Sequence, residues 1–419
     1  MSIVSKEALL KTAATKVGYV YDVRMKYHQD LEDPQDPHPE DPRRIFWIYN
    51  ILKQAGCLDI MKSVDVAPVS DNKILQVHTQ EHLDMLKDTE LMEKTTLLAT
   101  QQQFDSVFLC KESQYCARMS SGGLLALCQE VAAGRLNSGL AIIRPPGHHA
   151  CSNVPMGFCL LNNIAIAVRD LQRSKLVRKV VVVDWDVHHG NGIQEIFYED
   201  NTVLYVSLHR YDSGEFYPSS SDGNMDMVGK GKGVGFNINV PWVTSGASDG
   251  DYIYAFKKLV LPVAEEFAPD LVIVAAGFDA AICDPIGECD VSPQGYACMT
   301  SMLQGIGNGK LVLSLEGGYN LDAIANSALA CVKPLLNIKW KAGLIPQPAT
   351  CFSYATLSED EINGVNRGKI NYSAAWKTAG KWDPASEVPD CYFSRPSELG
   401  KNVVDQVIAT HKPYWSILC

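Results

Sequence analysis

A chain of 419 residues, 46% hydrophobic and 20% charged, has apolar material for one large α/β domain or two ordinary ones; this excludes a stapled mini-protein, collagen, a coiled coil or disorder as a description of the whole. Thirty-seven basic residues against 48 acidic ones leave a net charge of -11. That is the wrong sign for a phosphate-backbone footprint, so direct specific nucleic-acid binding is not expected.

Along the chain, residues 1–15 contain Lys6 and Lys11 but no apolar core of a signal peptide, and no run approaches the roughly 18 apolar residues of a membrane span. The chain therefore reads as intracellular and soluble, with an N-terminal extension over 1–15 and no membrane partner. The 13 cysteines include no C-x-x-C pair, and Cys110, Cys128, Cys159 and Cys331 sit in apolar stretches, the pattern of reduced, buried thiols. An apolar run at 139–143 is the first strong strand-like signal leading into chemistry. Further on, the pattern predicts a strand at 179–184, a helix at 193–198, a strand at 203–208, a helix at 251–267, a strand at 271–276, a helix at 293–306 and a strand at 310–315. Near-continuous apolar strands between helical segments argue for a mainly parallel sheet covered on both faces. The composition shifts near residue 340, giving one domain over 16–339 and a tail over 340–419. The helical spacing of Val404, Val407, Ile408 and Trp415 in 403–418 is expected to pack that tail back on the domain.

In such a sheet, ligands bind beyond the carboxyl ends of the strands, and polar clusters follow these strands directly. The run at 139–143 leads into Arg144-Pro145-Pro146-Gly147-His148-His149. The run at 180–183 leads into Asp184-Trp185-Asp186-Val187-His188-His189-Gly190-Asn191-Gly192, that at 271–276 into Gly277-Phe278-Asp279, and that at 311–315 into Glu316-Gly317-Gly318-Tyr319-Asn320. Asp186 and His188 are two apart, so in an extended strand exit their side chains share a direction. With Asp279 they make three His/Asp ligands with an open fourth position, the composition of a catalytic zinc site. A lone D-x-H is more often a capped turn holding a satisfied histidine; four clusters at successive strand ends reverse those odds. His148 and His149 suit proton transfer near neutral pH. Tyr319, after two glycines, can present a phenol to a developing oxyanion. The assembled chemistry is metal-assisted amide hydrolysis. No G-x-S-x-G elbow supports a serine nucleophile, and Gly229-Lys230-Gly231-Lys232-Gly233 lacks phosphate-loop spacing and reads as a surface turn.

The ordered motifs R-P-P-G-H-H-A at 144–150, G-F-C-L-L-N-N at 157–163, D-W-D-V-H-H-G-N-G at 184–192, S-L-H-R-Y-D at 207–212, G-F-D-A-A at 277–281 and L-E-G-G-Y-N at 315–320 closely resemble the class II zinc-dependent histone deacetylases over about residues 16–335. Tyr21-Asp22-Val23-Arg24-Met25 and the stretch from His38 to Ile45 look most like the fungal members. The resemblance implies an arginase-like, three-layer α/β fold with a central eight-stranded sheet flanked by helices. It implies zinc on Asp186, His188 and Asp279, and His148 and His149 as the proton-transfer pair, backed by Asp184 and Asn191. Class I members carry Asp where Asn191 stands, so His149 should be less basic here. Gly157, Phe158 and Phe216 would form the acetyl-lysine tunnel, with Asp105 or Ser106 holding the substrate backbone at its rim. Potassium is implied at the Asp184 carboxylate, the main-chain oxygens of Asp186, His188 and Leu208 and the Ser207 hydroxyl, and a second potassium at carbonyls of Phe197, Asp200 and Val203. Acetylated proteins or histone tails as substrates, co-repressor subunits, chromatin repression and nuclear residence, with a cytoplasmic share left open, follow from the same resemblance.

Three rivals remain in view. A two-metal ureohydrolase of the same fold needs carboxylates where Gly190 and Ala281 stand. An acetylpolyamine deacetylase carries Glu after the D-P dipeptide, whereas Ile286 follows Asp284-Pro285 here and offers a cationic chain no partner. A weakly catalytic acetyl-lysine reader has His in place of the tyrosine, and Tyr319 is present.

Overall fold

The computed structural model describes residues 16–32, 38–338 and 394–419; the expected extension over 1–15 and the part of the tail over 340–393 lie outside the described residues. Strands β1 (Val17–Tyr21), β2 (Lys62–Ser63), β3 (Ser138–Ile142), β4 (Val180–Asp184), β5 (Val203–Arg210), β6 (Asn237–Trp242), β7 (Leu271–Ala276) and β8 (Leu311–Leu315) form one sheet. Its order is β2-β1-β3-β8-β7-β4-β5-β6, and every pairing is parallel. The four strands from β3 to β4 in that order are buried at every position, as a sheet covered on both faces requires.

The principal helices are α1 (Arg43–Gln54), α2 (Ser113–Ala132), α3 (Asn163–Arg173), α4 (Asn191–Phe197), α5 (Asp249–Ala255), α6 (Leu261–Phe267), α7 (Pro293–Leu303), α8 (Leu321–Leu335) and α9 (Glu398–His411). Helices α2 and α3 pack together, as do α1, α8 and α7. Side chains close several helix starts: Asn162 accepts from the Ala165 amide at α3, and Ser292 accepts from that of Gly295 at α7, with Pro293 in the first turn. Each satisfies an amide that the first turn leaves without a partner. The helix expected over 251–267 is interrupted by a π-turn at Phe256–Val260. Pro262, lacking an N–H, cannot continue the i to i−4 ladder, and the wider turn absorbs that break.

In α9, Val403, Val404 and Val407 are buried, and the helix lies against β6 and α5. Trp415 donates from Nε1 to the Gly235 carbonyl at 2.9 Å and meets the rings of Phe236 and Phe267. Among the described residues, no helix is long and apolar enough to cross a membrane.

Candidate active site

Strands β3, β8, β7 and β4 are consecutive neighbours, and their ends are nearly level. Ala141 pairs with Ser314, Ser314 with Ala275, and Ala275 with Asp184. Adjacent strands lie about 4.8 Å apart, so the four polar strand exits open onto one small region. His148 Nδ1 lies 3.1 Å from Asp184 Oδ2, and His149 Nδ1 lies 2.7 Å from Asn191 Oδ1. The two imidazoles are 4.0 Å apart between centroids. Burial opposes a charge on His148, yet the carboxylates of Asp186 and Asp184 outweigh it and raise its pKa to about 10. His149 is held well below the ordinary range by burial and by the neighbouring His148 and His188. Nearby carboxylates acting on His148, and burial with two neighbouring imidazoles acting on His149, thus move the basicities of two adjacent histidines in opposite directions.

Asp186, His188 and Asp279 are buried, with ligand atoms all within 4.8 Å of one another; among the described residues they are the only such group of His, Cys, Asp or Glu. His188 Nδ1 lies 3.1 Å from Asp186 Oδ1 and 3.2 Å from Asp279 Oδ2. Tetrahedral bonds of about 2.0–2.1 Å put neighbouring ligand atoms about 3.3 Å apart, so the spacing fits zinc. The second oxygen of each carboxylate is tied down, Asp186 Oδ2 by the Gly317 amide at 2.8 Å and Asp279 Oδ1 by the Val187 amide at 2.8 Å. Gly317 has to be glycine for this approach: a Cβ there would stand 2.1 Å from Asp279 Oδ2. Burial and the like charge of Asp186 raise Asp279 to about 7, while the two aspartates raise His188 against burial to about 9. Two buried carboxylates facing each other form a field that a divalent cation neutralises, so the donor set suits the metal in chemistry as well as spacing.

Tyr319 stands beside this cluster, its ring edge-on to Phe158 at 5.9 Å and 5.4 Å from the Arg44 guanidinium. Burial and the charges of Asp279 and Asp186 push its phenol well above the usual range, which keeps it a hydrogen-bond donor. Phe158 and Phe216 are both half-buried. The Phe216 ring lies parallel to His188 at 5.1 Å, and Phe158 meets His38 edge-on at 4.6 Å. Asp105 and Ser106 are exposed, with their carbonyls accepting from the Gly157 and Phe158 amides at 3.1 and 2.8 Å. That contact fastens the rim to the loop carrying Phe158. Gly157 has a left-handed φ of 55°, and a Cβ on it would strike His149. Ile286 is half-buried.

Of the residues expected at potassium, Asp184 accepts from the Asp186 amide and the Tyr205 hydroxyl. Ser207 and Leu208 lie on β5 beside it, and the Ser207 hydroxyl lies 2.8 Å from His209 Nδ1. Phe197, Asp200 and Val203 sit at the other end of β5, where the Phe197 carbonyl accepts from the Asp200 amide at 2.9 Å.

Several contributors escape a sequence reading. Glu316 Oε2 accepts from the Gly147 and His148 amides at 2.7 and 3.1 Å, aiming the histidine pair from beneath. Arg44 donates to the carbonyls of Glu316 and Gly318 and pairs with Glu40, which Arg144 also grips. Tyr217 stands edge-on to His149 at 5.2 Å and to His188 at 6.0 Å. Glu316 lies inside L-E-G-G-Y-N at 315–320 and Tyr217 follows Phe216, but nothing in their spacing marks these contacts.

An all-parallel sheet whose central strands end in this donor set and histidine pair defines the arginase/deacetylase-like class of α/β fold. The histone deacetylase domain model matches residues 38–335, and the chain belongs to that family. It is 48% identical over 339 residues to histone deacetylase HDA1 of Candida albicans, covering 77% of this chain and 41% of that protein. It is 46% identical over 332 residues to histone deacetylase clr3 of Schizosaccharomyces pombe, covering 77% and 48%. The crystal structure of an HDA15 HD domain superposes with a TM-score of 0.77 at 35% identity, covering 96% of each chain. The chain spans about half the length, or less, of these curated relatives.

Proposed function

We propose that the chain hydrolyses the amide of N6-acetyl-lysine in proteins, histone tails foremost, releasing acetate and the free amine. The observation that carries this reading is a histidine pair of opposed basicity beside a buried Asp-His-Asp donor set. A divalent cation on Asp186, His188 and Asp279, zinc by donor type, would polarise the carbonyl and lower the pKa of a bound water. His149, its Nδ1 bonded to Asn191, keeps Nε2 free to take a proton from the attacking water and return it to the leaving amine nitrogen. His148 keeps its proton against Asp184 and offsets developing negative charge. Tyr319 donates a hydrogen bond to the oxyanion of the tetrahedral species.

Phe158 and Phe216 would flank the lysine stem, Gly157 would allow its close approach, and Asp105 or Ser106 would hold the substrate backbone. A potassium ion would rest on Asp184, Ser207 and the carbonyls of Asp186, His188 and Leu208, where buried carboxylates concentrate negative charge. A second would take the carbonyls of Phe197, Asp200 and Val203. The domain is read as 16–339, with the extension and tail outside it. Action in the nucleus with co-repressor subunits, with a cytoplasmic share open, and a part in transcriptional repression follow from the family. Ile286 favours a protein substrate over an acetylpolyamine, because a cation brought to an apolar rim loses hydration and gains no ion pair. The test is kcat/KM of the zinc-loaded chain on acetylated histone-tail peptides, an acetylated folded protein and acetylspermidine. Preference for the peptides is expected; preference for acetylspermidine, or turnover of none, overturns the reading.

A further inference from the structure

Asp284 is buried to 5% exposure and lies outside the metal donor set, yet its carboxylate receives four backbone amides. Oδ1 accepts from Ile286 at 2.9 Å and Gly287 at 3.1 Å. Oδ2 accepts from Tyr319 at 2.7 Å and Asn320 at 3.3 Å. The first pair is the local closure of a turn, which any Asp before such a turn can make. The second pair is not needed by the turn and reaches a segment 35 residues away. The same junction is crossed again by Asn320 Nδ2, which donates to the Cys283 carbonyl at 3.0 Å. On its far side, Arg210 donates to the Gly287 carbonyl and the Glu288 carboxylate while its guanidinium lies 4.4 Å from the Phe216 ring. One carboxylate therefore joins the loop bearing Ile286 to the strand exit bearing Tyr319, and Arg210 joins that loop to Phe216.

We propose that Asp284 is a positioning residue that couples the Ile286 loop to the backbone of Tyr319. The proposal rests on the oxyanion role given to Tyr319. A carboxamide at 284 keeps one accepting oxygen and turns an NH2 toward two N–H donors, so one of the two amide pairs is lost. Displacing a reacting group by about 1 Å can cost roughly 10² in rate.

The experiment is a double-mutant comparison of Asp284→Asn and Tyr319→Phe in the zinc-loaded chain, with metal content, thermal midpoint and the kcat and KM split measured for each. Asp284→Asn should keep full zinc and lower kcat by about 10- to 100-fold with little change in KM. In the Tyr319→Phe background the same substitution should cost less than about threefold, because the group it positions has gone. Equal losses in both backgrounds would overturn the coupling and leave the oxyanion role standing, whereas a Tyr319→Phe chain with full kcat would overturn that role itself. Should Asp284→Asn fail to fold, amide exchange of the wild type decides. The amides of Ile286, Gly287, Tyr319 and Asn320 should open together, with protection within about tenfold of one another; a wider spread overturns the coupling.

Discussion

Replacing Asn191 by Asp would put a charge where the structure has a neutral acceptor, and its effect can be worked from one distance. Asn191 Oδ1 lies 2.7 Å from His149 Nδ1. The amide Nδ2 contacts only weak acceptors, the Cys151 and Met156 sulfurs, and the His149 carbonyl at 3.5 Å. A carboxylate there would find one charged partner, the His149 imidazolium. Two unit charges about 4 Å apart attract by about 4 kcal/mol at an effective dielectric of about 20, equal to roughly 3 pKa units. Burying a further carboxylate near Asp184 and Asp186 offsets part of this, leaving an expected rise of about 1–2 units. The sign follows from the direction in the native protein, where burial and the neighbouring His148 and His188 depress His149. Its neutral, proton-accepting form is present above that low pKa and lost as pH falls through it. In Asn191→Asp the loss begins at higher pH, so the acid limb of log(kcat/KM) should move up by about 1–2 pH units. The assay is kcat/KM on one acetylated peptide for both proteins, from the lowest pH at which each stays folded up to about pH 10. An acid limb that stays in place, or moves down, refutes the assignment of proton acceptance to His149.

Asp186→Ala and Asp279→Ala should each lose most bound zinc and all turnover while keeping a cooperative melt, since two ligands hold a metal poorly and the sheet core does not include it; a full zinc complement by metal analysis would contradict the donor set. Tyr319→Phe should retain zinc and peptide binding but lose about 10² or more in kcat, and an unchanged kcat would make the residue mere packing. Ile286→Glu should shift kcat/KM toward acetylspermidine over peptide by about 1–3 kcal/mol, an outcome refuted by an unmoved ratio. Glu40→Gln leaves Arg44 and Arg144 sharing a neutral partner at 0% exposure, so denaturant titration should show a loss of about 3–5 kcal/mol; a loss under about 1 kcal/mol would show that the buried ion network is dispensable.

The sequence is most readable where a strand is uniformly apolar and least readable where burial is satisfied by side chains from elsewhere. Val180 to Val183 and Leu271 to Ala276 declare themselves, and they are two of the four strands that run into the polar clusters. Strand β6 does not. It contains Asn237, Asn239 and Pro241, residues that usually argue against a strand, and Pro is admitted because β6 is an edge. Its asparagines are buried only because Gln194 and the carbonyls of Asp222, Asn224 and Met227 meet them. Likewise β2 is two exposed residues paired to β1, too short for any period to show. Asp284 and Glu316 share a different obscurity: a carboxylate that gathers backbone amides from a remote segment has no spacing of its own, because its partners exist only once the chain has folded.

Strand order is the one property that the chemistry itself constrains. Parallel crossovers permit many arrangements of eight strands, and hydrophobic pattern alone does not choose among them. The histidine pair follows β3, Asp184 and the Asp186-His188 part of the buried donor set end or follow β4, Asp279 follows β7 and the phenol follows β8. For His148 to lie 3.1 Å from Asp184, and His188 3.2 Å from Asp279, these four exits have to fall within a few strand spacings of about 4.8 Å. Inserting β1, β5 or β6 among them would widen the gap by a spacing each time, and the segments leading from the strand ends would have to span it. The observed run β3-β8-β7-β4 keeps the four ends contiguous, and the short segment from Ile143 to His148 carries the histidine back from the end of β3 to Asp184 on β4.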